Sequence, residues 1–296
     1  MLWLLLLVGW STTCYASEER DSDNTNRNTT TLRRAIELLE SAKPRDAAHL
    51  IKQALRDTKR HDRGDDDELW ITLSTAYADL GKLNEAVAAA ENALTLLSDA
   101  VGDADPRTGR ARATLADHQA SAGLHADAAT TLGELVAMMR ERLGSGHPAY
   151  ALTLQKLGSA LVSADRPAAA IKPREELVTL LSAQPLDEVG ARLAEAHQEL
   201  SLAIALSANK RAQLERALDH ANKALQLHES GAVGRAPGRG GGPSTILAHA
   251  RSANAVAGIL ERLGRDDEAV STMGHAFKLA AAQADAEDEI EAEYVM

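Results

Sequence analysis

The 296-residue chain is poor in the residues that staple or stiffen small folds: it has one cysteine, one phenylalanine and 3% aromatic residues. A lone thiol, Cys14, can form no internal disulfide and no cysteine-rich zinc site, so nothing covalent or thiolate-bound holds the fold. Eight prolines and twenty glycines exclude a collagenous or low-complexity chain. Basic residues are the minority, 32 against 43 acidic, for a net charge of −11. That field argues against nucleic acid or an anionic membrane as the main partner. What is present is a 45% apolar share, ample for a packed core and incompatible with general disorder.

The one continuous apolar run near a terminus is LWLLLLVGW, residues 2–10, followed by small and polar residues. It has the length of a signal-peptide h-region and falls well short of the ~20 residues that span a bilayer. Cys14 and Ala16 supply small side chains at −3 and −1 of a cleavage site between Ala16 and Ser17. The expectation is therefore a cleaved signal over 1–16 and a location in the secretory pathway or outside the cell. Cytoplasmic residence is the alternative if the segment stays attached. Residues 17–31 are polar without apolar periodicity and read as a disordered leader, in which Asn28-Thr29-Thr30 is an N-glycosylation sequon. Once the signal is removed, no membrane span is expected.

Beyond residue 31 the chain repeats itself. NEAVAAAENAL, ADAATTLGELV and PAAAIKPREEL align on Ala86, Ala128 and Ala170, each 42 residues from the next. Weaker copies carry Ala47, Ala217 and Ala269. A fixed period of this size marks stacked repeats rather than one compact core. Each copy follows a second helical segment, so the unit is a helical hairpin. Trp70, Leu73 and Tyr77 share one face of the first helix, and Val87, Ala90, Leu94 and Leu97 one face of its partner. Small residues fall where two backbones must approach: Ser74, Ala116, Gly158 and Ala257 on first helices, the aligned alanines on second helices. Six hairpins are expected, over 32–58, 67–100, 108–143, 149–183, 188–229 and 245–284. A flexible glycine-rich loop fills 231–244, and 285–296 is an acidic tail or capping helix. Pro173 should kink its helix, and Arg174 occupies an apolar position.

Trp70, Leu73, Ser74, Tyr77 and Ala86 resemble the tetratricopeptide pattern W-x2-L-G-x2-Y followed by alanine, and Leu157-Gly158 supplies another L-G pair, with Leu115 and Ala116 at the same register. The 42-residue period, with Gly144-Ser145-Gly146-His147-Pro148 and Gly102-Asp103-Ala104-Asp105-Pro106 in the linkers, is similar to the longer repeats of kinesin light chains. The resemblance implies an all-α fold, a right-handed α-solenoid whose concave groove is lined by first helices. Carried over position by position, the groove residues are Glu68, Ile71, Thr75 and Asp79 in the second hairpin and Arg110, Ala113 and Asp117 in the third. The fourth adds Leu152, Gln155 and Ser159, and the sixth adds Arg251, Asn254 and Arg262. The carboxylate clamp of chaperone-binding repeats needs Lys and Asn, which Ile71, Thr75 and Ala113 do not supply. Thr114 and Lys156 stand where kinesin light chains favour asparagine.

Catalytic chemistry finds no footing. Ten histidines form no HExxH set, no Gly-x-Ser-x-Gly elbow occurs, and the single thiol lies in the signal. The run GRGGGPST from Gly238 has Pro243 where a P-loop needs lysine, and no strand precedes it. No enzyme activity, cofactor or metal is expected. The expected function is a non-catalytic scaffold binding a peptide or protein in the groove. The alternatives are a spacer or self-associating scaffold, a cytosolic adaptor like a kinesin light chain and, last, an α-superhelical enzyme.

Overall fold

The computed structural model describes residues 28–57, 66–142, 144, 146–230, 243–278 and 281, with the side chains of 148 and 243–247 left aside. The expected signal with its Ala16–Ser17 junction, the leader up to residue 27, the glycine-rich loop through residue 242 and the acidic tail 285–296 lie outside the described residues. Among the described residues the regular structure is helical throughout. The helices pair as α1 (28–40) with α2 (Pro44–Asp57), α3 (Asp67–Asp79) with α4 (Leu83–Val101), and α5 (Pro106–Ser121) with α6 (His125–Arg142). They continue as α7 (Pro148–Ser163) with α8 (Pro167–Ser182), α9 (Leu186–Ser207) with α10 (Arg211–Glu229), and α11 (Pro243–Arg262) with α12 (266–278). The chain divides into two compact units, 1–142 and 143–296, each holding three of these hairpins. Two expected boundaries move: residues 28–31 are helical rather than leader, and α11 begins at Pro243, inside the expected loop. No described helix is long and apolar enough to cross a membrane.

Pro106 and Pro148 act as helix starters, and the residues before them act as caps. The Asp105 carboxylate accepts the Arg107 N–H at 2.8 Å ahead of Pro106, and one period later His147 Nδ1 accepts the Ala149 N–H at 3.2 Å ahead of Pro148. Proline costs nothing at a position whose N–H has no intrahelical acceptor. The turn recurs inside five of the six hairpins, the exception being α9–α10, where Ala208 is extended. Ala42, Gly81, Gly123, Asp165 and Gly264 all take positive φ, between 54° and 77°. In each case the next N–H reaches back five residues, as Lys82 does to the Tyr77 carbonyl and Arg166 to that of Leu161, both within 2.9 Å. This left-handed closure absorbs the orphan carbonyls of the first helix. Ala42 and Asp165 hold it without being glycine.

Each aligned alanine is buried: Ala47, Ala86, Ala128, Ala170 and Ala217 at 0% exposure and Ala269 at 3%. Around them the first unit packs Ile51, Leu69, Leu73 and Ala76, with Trp70 and Tyr77 half-buried beside them. The second packs Leu200, Ile204, Leu218, Val256 and Leu260. Pro173 does not end α8, which runs unbroken through it; it removes the donor for the Ala169 carbonyl. Arg174, expected to be out of place, is 3% exposed. Gly158 makes room for it, since a Cβ there would lie 2.8 Å from Arg174 Nε. The guanidinium passes between α7 and α8 to the Glu199 backbone carbonyl on α9, with the Glu199 carboxylate 3.8 Å from Nε. One long side chain thus ties three helices, and the small residue at 158 admits it.

Three stability changes follow. Ala42→Gly should stabilise the first unit by about 1 kcal/mol and Gly123→Ala destabilise it by about 1–2 kcal/mol, because only glycine enters the left-handed region without steric cost. Ala128→Leu should cost ~1–3 kcal/mol by overpacking the helix crossing. Denaturant titration of the three variants checks them, and an unchanged or raised midpoint for Ala128→Leu counts against this packing register.

Candidate partner-binding faces of the first helices

In the first unit the structure brings the predicted groove residues together across one repeat. Glu68 of α3 and Arg110 of α5, 42 residues apart, form an ion pair. Both side chains are more than a third exposed, so the pair contributes at most ~1 kcal/mol and its work is to fix register. One turn further along α3, Ile71 is half-buried while Thr75 and Asp79 are exposed. Beside them His118 Nε2 lies 3.1 Å from the buried Ser74 hydroxyl. Burial pushes the His118 imidazole below its usual pKa, against the opposing pull of Asp117 and Asp79. This face is polar and acidic toward the hairpin turns.

In the second unit the same positions present apolar surface. Leu152 of α7 is 50% exposed, with Gln155 half-buried one turn on and Ser159 exposed two turns on. The fifth hairpin, for which the sequence offered no groove residue, supplies Leu202 and Leu206 of α9, 49% and 54% exposed. They were missed because Ala217 lies 47 residues after Ala170 rather than 42. The signal that would have found them is Leu200-Ser201, which stands in the position of Leu73-Ser74. Arg251 and Asn254 of α11 are exposed as expected. Arg262 is not a free groove cation, since its Nη1 donates to the Ala205 carbonyl at 2.7 Å and so binds α11 to the end of α9.

Behind these faces, in α5 and α9, positions held by Trp70 and Tyr77 in α3 are filled by polar groups. Arg112 of α5 takes the place of Trp70, is 7% exposed and reaches Asp103 at 3.0 Å and Glu134 at 3.4 Å. Gln119 takes the place of Tyr77 and accepts from the Thr131 hydroxyl at 2.8 Å. In α9 the Trp70 position is His197, whose Nδ1 lies 3.0 Å from Nδ1 of His220 on α10, the rings 5.2 Å apart and stacked. One Nδ1 must donate and the other accept, so at most one of the two rings carries a charge while the bond is kept. Burial first, then the His220 and Lys223 charges, push His197 down to about 4, and burial lowers His220 as well. The Asn28 side chain is also engaged, 6% exposed and donating to Asp66 at 3.2 Å; a glycan on its nitrogen requires this buried side chain to move out toward solvent. Among the described residues no three His, Cys, Asp or Glu side chains are placed to hold a metal.

The histidine pair sets a direction for pH dependence. Between about pH 6.5 and 4 the unfolded chain binds protons that folded His197 refuses, so stability falls as pH falls through that window. The melting temperature should drop by roughly 2–6 °C from pH 7 to pH 5, and the slope should flatten in His197→Gln. Parallel slopes for the two proteins would remove the pair as the cause.

No family profile matches the sequence, and no curated protein matches it significantly. Solved structures do. The C-terminal part of a TPR repeat-containing protein from Cytophaga hutchinsonii superposes with a TM-score of 0.59 at 13% identity, over 86% of this chain and 83% of its own. BtubC (BKLC) from P. vanneervenii gives 0.57 at 14% identity over 87% and 92%. A Podosopora anserina protein with nearly identical TPR-like repeats, described as a kinesin light chain, gives 0.57 at 17% identity over 73% and 94%. At these identities the likeness is one of fold, and the fold of this chain is that of the tetratricopeptide-like helical-hairpin solenoids.

Proposed function

We propose that the chain is a non-catalytic protein-interaction scaffold that takes a peptide or partner segment on the first-helix faces. The observation that carries this reading is the exposure of Leu152, Leu202 and Leu206 at positions equivalent to the groove residues of the repeat. Large aliphatic side chains about half open to water, with polar Gln155, Ser159, Arg251 and Asn254 at other groove positions of the same unit, give first-helix faces of mixed apolar and polar composition suited to an interface. Solenoid repeats use such surfaces for extended partners. The apolar run of residues 2–10 supports placing this role in the secretory pathway or outside the cell. A cytosolic adaptor similar to a kinesin light chain is the reading if residues 1–16 are retained.

Photo-crosslinking tests the face. With benzoylphenylalanine in place of Leu202 or Leu206, native extracts should yield a discrete protein adduct that exposed Lys223 on α10 does not give, and Leu206→Glu should abolish the Leu202 adduct. No adduct at either leucine sinks the binding reading in favour of a spacer. The mass and N-terminal sequence of the native protein decide its location: a start at Ser17 supports the secretory reading, and a retained Met1 or Leu2 supports the adaptor.

A further inference from the structure

In a chain of net charge −11, five cationic or imidazole side chains converge on one cavity of about 480 Å³ in the first unit. Arg45, His49, Lys52 and Arg56 follow one stripe of α2 at helical spacing, and Lys82 closes the cavity from the α3–α4 turn, with Tyr77 between them. Their side chains make no hydrogen bond or ion pair with the described residues, as is also true of Arg33, Lys172, Arg192 and Arg251; what sets the five apart is that they line one cavity. A second cavity of about 410 Å³ shares Lys52, Arg56 and Tyr77 with the first. Its floor is apolar, from Leu55, Trp70 and Leu73, and its far wall is α4, where Glu85 is the carboxylate that lines it. This surface lies between consecutive second helices and is distinct from the first-helix faces assigned above.

We propose that the groove between α2 and α4 is a second binding site, for a carboxylate-rich peptide segment that anchors an apolar side chain over Trp70 and Leu55. The cations are strung from Arg45 to Arg56, a rise of about 16 Å along the helix. A single phosphate spans a small part of that, while about five residues of extended chain cover it. Unpaired cations give the steering and specificity for an anion, and the aromatic and aliphatic floor gives the desolvated anchor. The shared lining of the two cavities places charge and anchor side by side, as an acidic segment with interspersed apolar residues requires. Residues 285–296 of this chain, with six carboxylates together with Ile290 and Tyr294, have that chemistry and serve as the probe.

The experiment uses the full chain with Trp3→Phe and Trp10→Phe, so that Trp70 is the sole indole, and with the six tail carboxylates changed to amides so that the tail does not compete. Titration with the synthetic 285–296 peptide at low salt should give a saturable change in Trp70 emission. Lys52→Glu with Arg56→Glu should weaken binding at least tenfold at unchanged helicity and melting temperature. Serine at Ile290 and Tyr294 of the peptide should weaken it about fivefold or more. A silent Trp70, or equal affinity for the charge-reversed protein, overturns the proposal. Displacement of the peptide by tripolyphosphate or by a short oligothymidylate at equal or lower concentration overturns it in favour of a phosphate site.

Discussion

Every hairpin closes over an alanine whose methyl group is essentially removed from water, and the rest of the architecture depends on that close approach. A methyl group lets the two backbones of a hairpin come near enough for their apolar stripes to interlock, and interlocking is what buries leucine and isoleucine in a protein with few aromatic rings. The approach also fixes where each first helix stands, and hence which of its residues remain facing outward. Ser201 shows the tolerance of the position: its hydroxyl sits at the crossing itself and donates to the Ala217 carbonyl at 2.7 Å. A polar group is accepted there because it is small and its hydrogen bond is satisfied in place.

The interior departs from an all-apolar repeat at the sites of the consensus aromatics. Arg112, Gln119 and His197 replace rings that would have supplied large buried area, and each brings its own partner. Such groups contribute less net stability than apolar ones of equal volume, since desolvation offsets most of the attraction. What they add is specificity, because an imidazole that must meet another imidazole, or a guanidinium that must meet two carboxylates, is satisfied in one register only. Arg174 carries the same logic across three helices, with burial lowering its pKa and raising that of Glu199.

Charge is distributed unevenly over this frame. The acidic majority is spread over exposed helix faces and helix starts, where it complements the helix dipoles. The first-helix face of the second unit carries aliphatic side chains instead, and the α2–α4 groove of the first unit carries unpaired cations. Polar groove positions pair off where they face each other across a repeat, as Glu68 and Arg110 do. Leu152, Leu202 and Leu206, without such a neighbour, stay about half exposed.

Much of this was legible in the sequence. The 42-residue spacing of Ala86, Ala128 and Ala170 sets the phase of the central hairpins, because only small residues fit the crossing and the crossing recurs once per repeat. The His-Pro and Asp-Pro pairs mark helix starts for an equally local reason, a cap followed by a residue with no N–H to lose. Groove positions could be carried over where the period held and were lost in the fifth hairpin, where it stretched. Tertiary structure alone decided that Arg174 belongs in the core, since its acceptor lies 25 residues away on another helix. It alone decided that His197 meets His220, that Arg262 is occupied by a carbonyl 57 residues earlier, and that the cations of α2 converge with Lys82. Periodicity reports which face a side chain takes, whereas partners depend on how faces from distant segments are brought together by packing.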